Sequence, residues 1–278
     1  MKIKKSVVTV AAALAMVGFG SSAQAVILSD IIFVVDESGS MGTVQANLRN
    51  NIGLFASILT GTGQVDAQYG LVGYGDSSVV PRMLSNLTTA ANVATAAAGL
   101  RVNGGTESGY AGTAFALNAI DGQTSLFNFR SNAVKNIIIF TDEDNDFINQ
   151  LGGRVGGDSA SYDEIDALLT SNNALFNAVV SGGGACTTAT PMDCYVPLAL
   201  AHGGAQFDLN LLNTTNQTVV QNFVTDFATR KLQETLTFCQ LNPTAPECQG
   251  TNIPEPGSLA LLGLGLAGLA SLRRRKIY

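Results

Sequence analysis

DIIFVVDESGS, residues 30–40, joins two signals without a break. Ile31 to Val35 is a run of five large apolar residues with no alternation. A surface strand would alternate polar and apolar positions. A continuous run reads as a strand buried on both faces, which is the habit of a parallel sheet covered by helices. The polar stretch that follows leaves the carboxyl end of that strand, where open α/β sheets bind their ligands. It carries a carboxylate and two hydroxyls at alternating positions: Asp36, Ser38 and Ser40. Alternation lets all three face one way in an extended turn, and Gly39 permits a tight path.

Outward from this stretch, helical and strand patterns alternate. Val44, Leu48, Ile52, Phe55 and Leu59 recur on one side of a helix over 44–59, which Gly61 and Gly63 end. Residues 67–74 and 79–84 read as strands, the second an edge strand because Pro81 cannot donate to a ladder. Helices are predicted over 88–100 and 107–120, and a second central strand over 136–140, Asn-Ile-Ile-Ile-Phe. A helix at 163–169, a strand at 177–180, a short helix at 196–201 and a strand at 206–209 follow. A last amphipathic helix over 218–236 presents Val219, Phe223, Phe227 and Leu232. The alternation predicts a single α/β domain over 26–240. It should be doubly wound and Rossmann-like, with a mostly parallel central sheet flanked by helices.

Two more loops should reach the carboxyl edge that bears Asp36. Gly104-Gly105-Thr106 precedes a helix and offers a hydroxyl, and Thr141-Asp142 follows the 136–140 strand and offers a second carboxylate. Oxygen-only ligands select a hard cation. Two carboxylates and three hydroxyls would leave such an ion electrophilic, with room for water or an outside ligand. Each part has a plainer reading taken alone, since Asp, Ser and Thr also cap helices.

D-x-S-x-S after an apolar strand, then Gly-Gly-Thr, then an apolar strand ending in Thr-Asp, resembles the von Willebrand factor type A domain. The likeness runs from about Ser29 to Leu236. It implies a metal-ion-dependent adhesion site. Ser38, Ser40 and Thr106 would contact one divalent cation directly, and Asp36 and Asp142 directly or through water. Mg²⁺ is the expected ion, with Mn²⁺ and Ca²⁺ as alternatives. An acidic group on a surface or matrix protein, or on a polysaccharide, would complete the shell. Many relatives have Gly after the last Asp, where this chain has Glu143.

Both ends read as addresses. Lys2, Lys4 and Lys5, an apolar run over 7–20 and Ala23-Gln24-Ala25 form a secretory signal peptide over 1–25, with an N-terminal anchor as the alternative. After a linker at 241–252 come Pro254-Glu255-Pro256, an apolar run over 259–272 and the cluster Arg273-Arg274-Arg275-Lys276. This order resembles the PEP-CTERM sorting signal of Gram-negative bacteria. The resemblance implies a transient inner-membrane tether at 253–278, removed by an exosortase-type enzyme during delivery to the surface or matrix. A plain tail anchor is the alternative.

Three lysines leave with the signal, and four basic residues and one acid leave with the tail. The span 26–252 then keeps 8 basic against 20 acidic residues, a formal charge of −12. That balance argues against nucleic acid and anionic membrane surfaces as partners and suits the capture of cations. Export would place Cys186, Cys194, Cys239 and Cys248 in an oxidising compartment. Three pairings are open, and the short loops favour Cys186–Cys194 with Cys239–Cys248.

Other chemistry finds little support. Asp142, Asp144 and Asp146 start like an EF-hand, but Phe147 stands where Gly is needed and Gly153 where the bidentate Glu belongs. His202 is the only histidine, there is no G-x-S-x-G elbow, and the glycine-rich stretches lack the Lys-Ser/Thr of a phosphate loop. The expectation is a non-enzymatic binding module. A structural matrix protein with a fold-stabilising ion, or a metal-dependent hydrolase, are the rivals.

Overall fold

The computed structural model describes residues 26–77, 80–146, 160–182 and 195–250. The signal segment, the sorting tail and the loop holding Cys186 and Cys194 lie outside them. Strands are β1 (Ile27–Asp36), β2 (Val65–Tyr74), β3 (Arg82–Thr88), β4 (Ala133–Thr141), β5 (Leu175–Val180) and β6 (Gln206–Asp208). Helices are α1 (Gly42–Thr60), α2 (Ala90–Ala96), α3 (Gly109–Ala116), α4 (Tyr162–Ser171), α5 (Tyr195–Ala201) and α6 (Gln217–Leu241). The sheet order is β3-β2-β1-β4-β5-β6, and every pairing is parallel except β2–β3.

The order reverses between β1 and β4, so the crevice at their carboxyl ends is the natural ligand position of the fold. Register fixes it: Val35 pairs with Phe140, which brings the residues after both strands side by side. Ile31, Phe33 and Val35 face α1, α2 and α6, while Ile32 and Val34 face α3, α4 and α5. All five are at most 1% exposed. The apolar run of the sequence is therefore a strand with two cores, one on each face.

Several boundaries differ from the sequence reading for identifiable reasons. The edge strand begins at Arg82, just beyond Pro81, and pairs antiparallel with β2. The 107–120 helix is confined to Gly109–Ala116. At its start, Glu107 N donates to the Asp146 carboxylate at 2.9 Å and Tyr110 N to Asn145 Oδ1 at 2.9 Å. At its end, Asn118 adopts a left-handed conformation with φ of 60°. The last helix runs five residues beyond 236, and Val220 rather than Val219 lies on its buried face. Lys231, 0% exposed, reaches from that helix to Asn177 of β5 and to Glu234, at 2.8 Å from the latter. This polar tie anchors α6 to the sheet within an otherwise apolar face.

Cys239 and Cys248 form a disulfide with Sγ atoms 2.07 Å apart. It ties the end of α6 to a 3-10 turn at Pro246–Cys248. Among the described residues no helix is long and apolar enough to cross a membrane.

Candidate metal centre

Three loops meet at the carboxyl ends of β1 and β4. The first leaves β1 at Asp36. The Asp36 carboxylate is fully buried and accepts a hydrogen bond from Ser38 N at 2.6 Å and from Thr141 Oγ1 at 3.0 Å. Ser38 Oγ and Ser40 Oγ are 3.0 Å apart. Neither hydroxyl serves as a cap: Ser38 sits at the N-cap of the turn Gly39–Met41 without a side-chain bond, and Met41 precedes α1. The plainer capping reading therefore does not account for these residues.

The second loop, 101–107, lies along the first. Asn103 N and Gly104 N both donate to Glu37 O at 3.2 Å, and Gly39 N donates to Gly104 O at 3.3 Å. Gly104 is required by contact: a Cβ there would collide with the Gly75 carbonyl oxygen. Gln45 Nε2 clamps both loops from below, donating to Asp36 O at 2.9 Å and Arg101 O at 2.7 Å. Thr106 follows on this loop, half-buried, and is not the cap of α3, whose N-cap is Ser108.

The third loop leaves β4 at Thr141. Thr141 Oγ1 joins it to the first loop by donating to Asp36, and Glu143 N donates back to Thr141 Oγ1 at 3.2 Å. Glu143 is exposed. Asp146 and Asn145 pin this loop to the second through Glu107 and Tyr110. Asp144 is exposed and Asp146 half-buried, and the rest of the stretch compared with an EF-hand, residues 147–159, lies outside those described.

The carboxylates of Asp36, Glu107 and Asp142 offer oxygens within 4.8 Å of one another. Glu107 Oε2 and Asp142 Oδ1 are buried without a hydrogen-bond partner. No ion pair among the described residues involves any of the three. Buried, unpaired carboxylates this close repel one another and favour protons. Burial pushes the Asp36 carboxyl up to about 6, with the Asp142 charge adding to it. Burial, then the charges of Asp36, Glu143, Asp142 and Asp146, push Glu107 up to about 8. A divalent cation would supply the missing countercharge and the missing partners together. The donor set is all oxygen and fits a hard cation.

Sequence reading missed Glu107 and Thr141. The signal for Glu107 was an acid beside Thr106 on a loop already aimed at the site. Thr141 was read only as part of a strand end, yet its hydroxyl holds Asp36. Glu37, within the same motif, turns the other way. It is buried over Gly73, paired with Arg82, and accepts from Arg101 N at 2.6 Å. His202 lies far from these loops, near the start of β5, with Nε2 2.8 Å from Asp166 Oδ1.

Residues 30–163 match the family model of the von Willebrand factor type A domain, and residues 252–276 match that of the PEP-CTERM protein-sorting motif. No curated protein matches the chain. Among solved structures it is similar to proximal thread matrix protein 1 from the mussel byssus, with 15% identity, 73% of this chain and 47% of that chain covered, and a TM-score of 0.45. It is similar to the pilus adhesin SpaC from Lactobacillus rhamnosus GG, with 14% identity, 76% and 31% covered, and a TM-score of 0.45. It is also similar to the PilB minor pilin from Streptococcus sanguinis, with 13% identity, 76% and 63% covered, and a TM-score of 0.47. The chain spans less than two thirds of each of these proteins.

Proposed function

Because the chain is a von Willebrand factor type A domain protein with a PEP-CTERM sorting motif, we propose that it is an exported adhesion-type module that grips its partner through one divalent cation. Ser38, Ser40 and Thr106 supply hydroxyl oxygens, and Asp36 and Asp142 supply carboxylates. The ion polarises and binds an oxygen of the partner. The chain's own part is to hold the ligands ready. Thr141 Oγ1 and Ser38 N orient Asp36, and Gln45 fixes the two loops that carry the hydroxyls. The observation that carries this reading is the buried Asp142 oxygen without a partner, facing Asp36 across the crevice.

The partner is a surface or matrix protein or polysaccharide bearing an acidic group, which the cation attracts. The role is binding rather than catalysis. His202 is far from the crevice and engaged with Asp166, so it offers no base to a water at the ion. The direct experiment uses the tagged chain to capture material from the native envelope, with and without EDTA, beside Thr106→Ala. Capture should fail with EDTA and with Thr106→Ala, while circular dichroism shows both proteins folded. Equal capture by Thr106→Ala would reduce the ion to a stabiliser of the fold.

Protons and the ion compete for the same oxygens. The unfolded chain releases its protons near the ordinary values, 3.8 for Asp and 4.5 for Glu, whereas the folded, ion-free site keeps them to about 6 and 8. The folded state thus binds more protons between those limits. Its stability is full on the acid side and falls as pH rises. In EDTA, the melting temperature should be lower at pH 8 than at pH 5.5. With a saturating divalent ion the loss should disappear, because the ion takes the deprotonated forms. A melting temperature in EDTA that rises over this interval would contradict the site as described.

Sorting supplies a further expectation. The PEP-CTERM motif marks a protein exported and sorted at the membrane, and processing by an exosortase removes the tail. Mass spectrometry of surface material should then find chains that lack Arg273 to Tyr278. Intact tails throughout would make the segment an anchor.

A further inference from the structure

We infer that Glu107 is a third carboxylate ligand of this cation, and that the site is consequently built for Ca²⁺ in preference to Mg²⁺. The inference rests on the metal-dependent reading above.

Glu107 does not behave like a helix-start acid. The N-cap of α3 is Ser108, and the Glu107 side chain makes no capping bond. It is 3% exposed, its Oε2 has no partner, and a carboxylate oxygen lies within 4.8 Å of those of Asp36 and Asp142. Its backbone is held at both ends of the peptide unit. Glu107 N donates to Asp146 Oδ2 at 2.9 Å, and Glu107 O accepts from Asp146 N at 2.8 Å. A carboxylate pinned and buried in this way, with no ion pair to a basic residue among the described residues, is costly unless a cation completes it.

The count of oxygens then decides the ion. With the hydroxyls of Ser38, Ser40 and Thr106 that the metal-dependent reading assigns, direct ligation by Asp36, Glu107 and Asp142 would make six protein oxygens before any bidentate contact or water. Mg²⁺ is held by one or two carboxylates and keeps several waters in a strict octahedron at about 2.0–2.1 Å. Ca²⁺ accepts six to eight oxygens at about 2.3–2.6 Å in flexible geometry, and two ligands across it stand roughly 4.6–5.2 Å apart. Three carboxylates also more than balance a divalent ion. An acidic group of the partner would then be held by its direct bond to the ion rather than by the net charge of the site.

The test is calorimetry with Ca²⁺ and Mg²⁺ on the full chain stripped with EDTA. Wild type is compared with Glu107→Gln, Glu107→Asp and Glu143→Gln, the last controlling for loss of a nearby exposed charge. Wild type should prefer Ca²⁺ by about tenfold or more. Glu107→Gln should lose about 10- to 100-fold in Ca²⁺ affinity and most of that preference, a range seen when groups that support a metal are removed. Glu107→Asp, which keeps the charge but withdraws the oxygen, should show a smaller loss in the same direction. Glu143→Gln removes a charge that acts on Glu107 but no oxygen offered to the ion, so it should shift both ions alike and within about threefold. Without ion, Glu107→Gln should melt higher than wild type, because a buried repulsion is gone. Wild-type Ca²⁺ affinity and selectivity in Glu107→Gln would overturn the inference and leave the metal reading standing. Binding of neither ion by wild type would overturn both.

Discussion

Asp36→Ala should weaken binding of a divalent cation by about 100-fold or more, on the order of 2.7 kcal/mol, as calorimetry on the EDTA-stripped chain would record. The size follows from position. Asp36 ends the central strand of the sheet, and its carboxylate ties two of the three loops together. It accepts from Ser38 N on its own loop and from Thr141 Oγ1 at the end of β4. Removing it deletes a charged oxygen and also releases Ser38 and Thr141 from the arrangement that aims the hydroxyls. The same substitution should not unfold the protein. Burial already raises the Asp36 carboxyl to about 6 in the ion-free state, so at neutral pH its charge is a burden on the fold. A stripped Asp36→Ala protein should melt at or above the wild-type temperature. Equal ion binding by the variant and wild type would remove Asp36 from the site.

Phe227→Ala should cost about 3–5 kcal/mol of folding free energy, a large share of the 5–15 kcal/mol typical of a domain. Phe227 is 2% exposed and stands where α6 crosses the sheet. Its ring centroid lies 4.6 Å from Phe207, 5.2 Å from Phe55, 5.8 Å from Phe223 and 6.3 Å from Phe140. Four elements therefore meet on one side chain, and rigid strands on one side cannot collapse into the cavity left behind. Urea unfolding followed by circular dichroism should show the midpoint falling with little change in slope. A loss under about 1 kcal/mol would mean that α6 can settle into the gap, and that this face is more plastic than its packing implies.

The fold was legible because its two central strands carry unbroken apolar runs. Ile31–Val35 and Ile137–Phe140 must be covered on both faces, and the helical stripe from Val44 to Leu59 covers one of them. Legibility failed where tertiary contacts override local preference. The 107–120 stretch has helical composition, but Asp146 holds the Glu107 N–H and Asn145 caps the helix at Tyr110, so it starts only at Gly109. No local pattern announces those bonds, which span 39 and 35 residues. Pro81 marked an edge strand but did not fix which side of it the strand would occupy. Val219 and Val220 are adjacent apolar residues, and only packing against α1 and the sheet chooses between them.

The candidate site divides in the same way. Asp36, Ser38 and Ser40 are visible because their spacing and their place after a buried strand sit within one short segment. Thr106 and Asp142 are visible once the strand and loop order is known. Glu107 escaped because a carboxylate at a helix start has a common structural use. Its actual circumstances, a buried oxygen without a partner and two acids beside it, arise only from the folded chain. Thr141 escaped because its role is to orient another residue across 105 positions of sequence. Of the cysteine pairings, Cys239–Cys248 is present, and Cys186–Cys194 falls outside the described residues.

The most direct test of the central claim is a crystal structure of the chain grown in Mn²⁺, with data collected at the manganese absorption edge. One anomalous peak is predicted between the ends of β1 and β4, within bonding distance of oxygens of Ser38, Ser40 and Thr106 and of the Asp36, Glu107 and Asp142 carboxylates. Saturating Mn²⁺ with no peak in that crevice, or with the only peak held elsewhere on the acidic surface, would contradict the account.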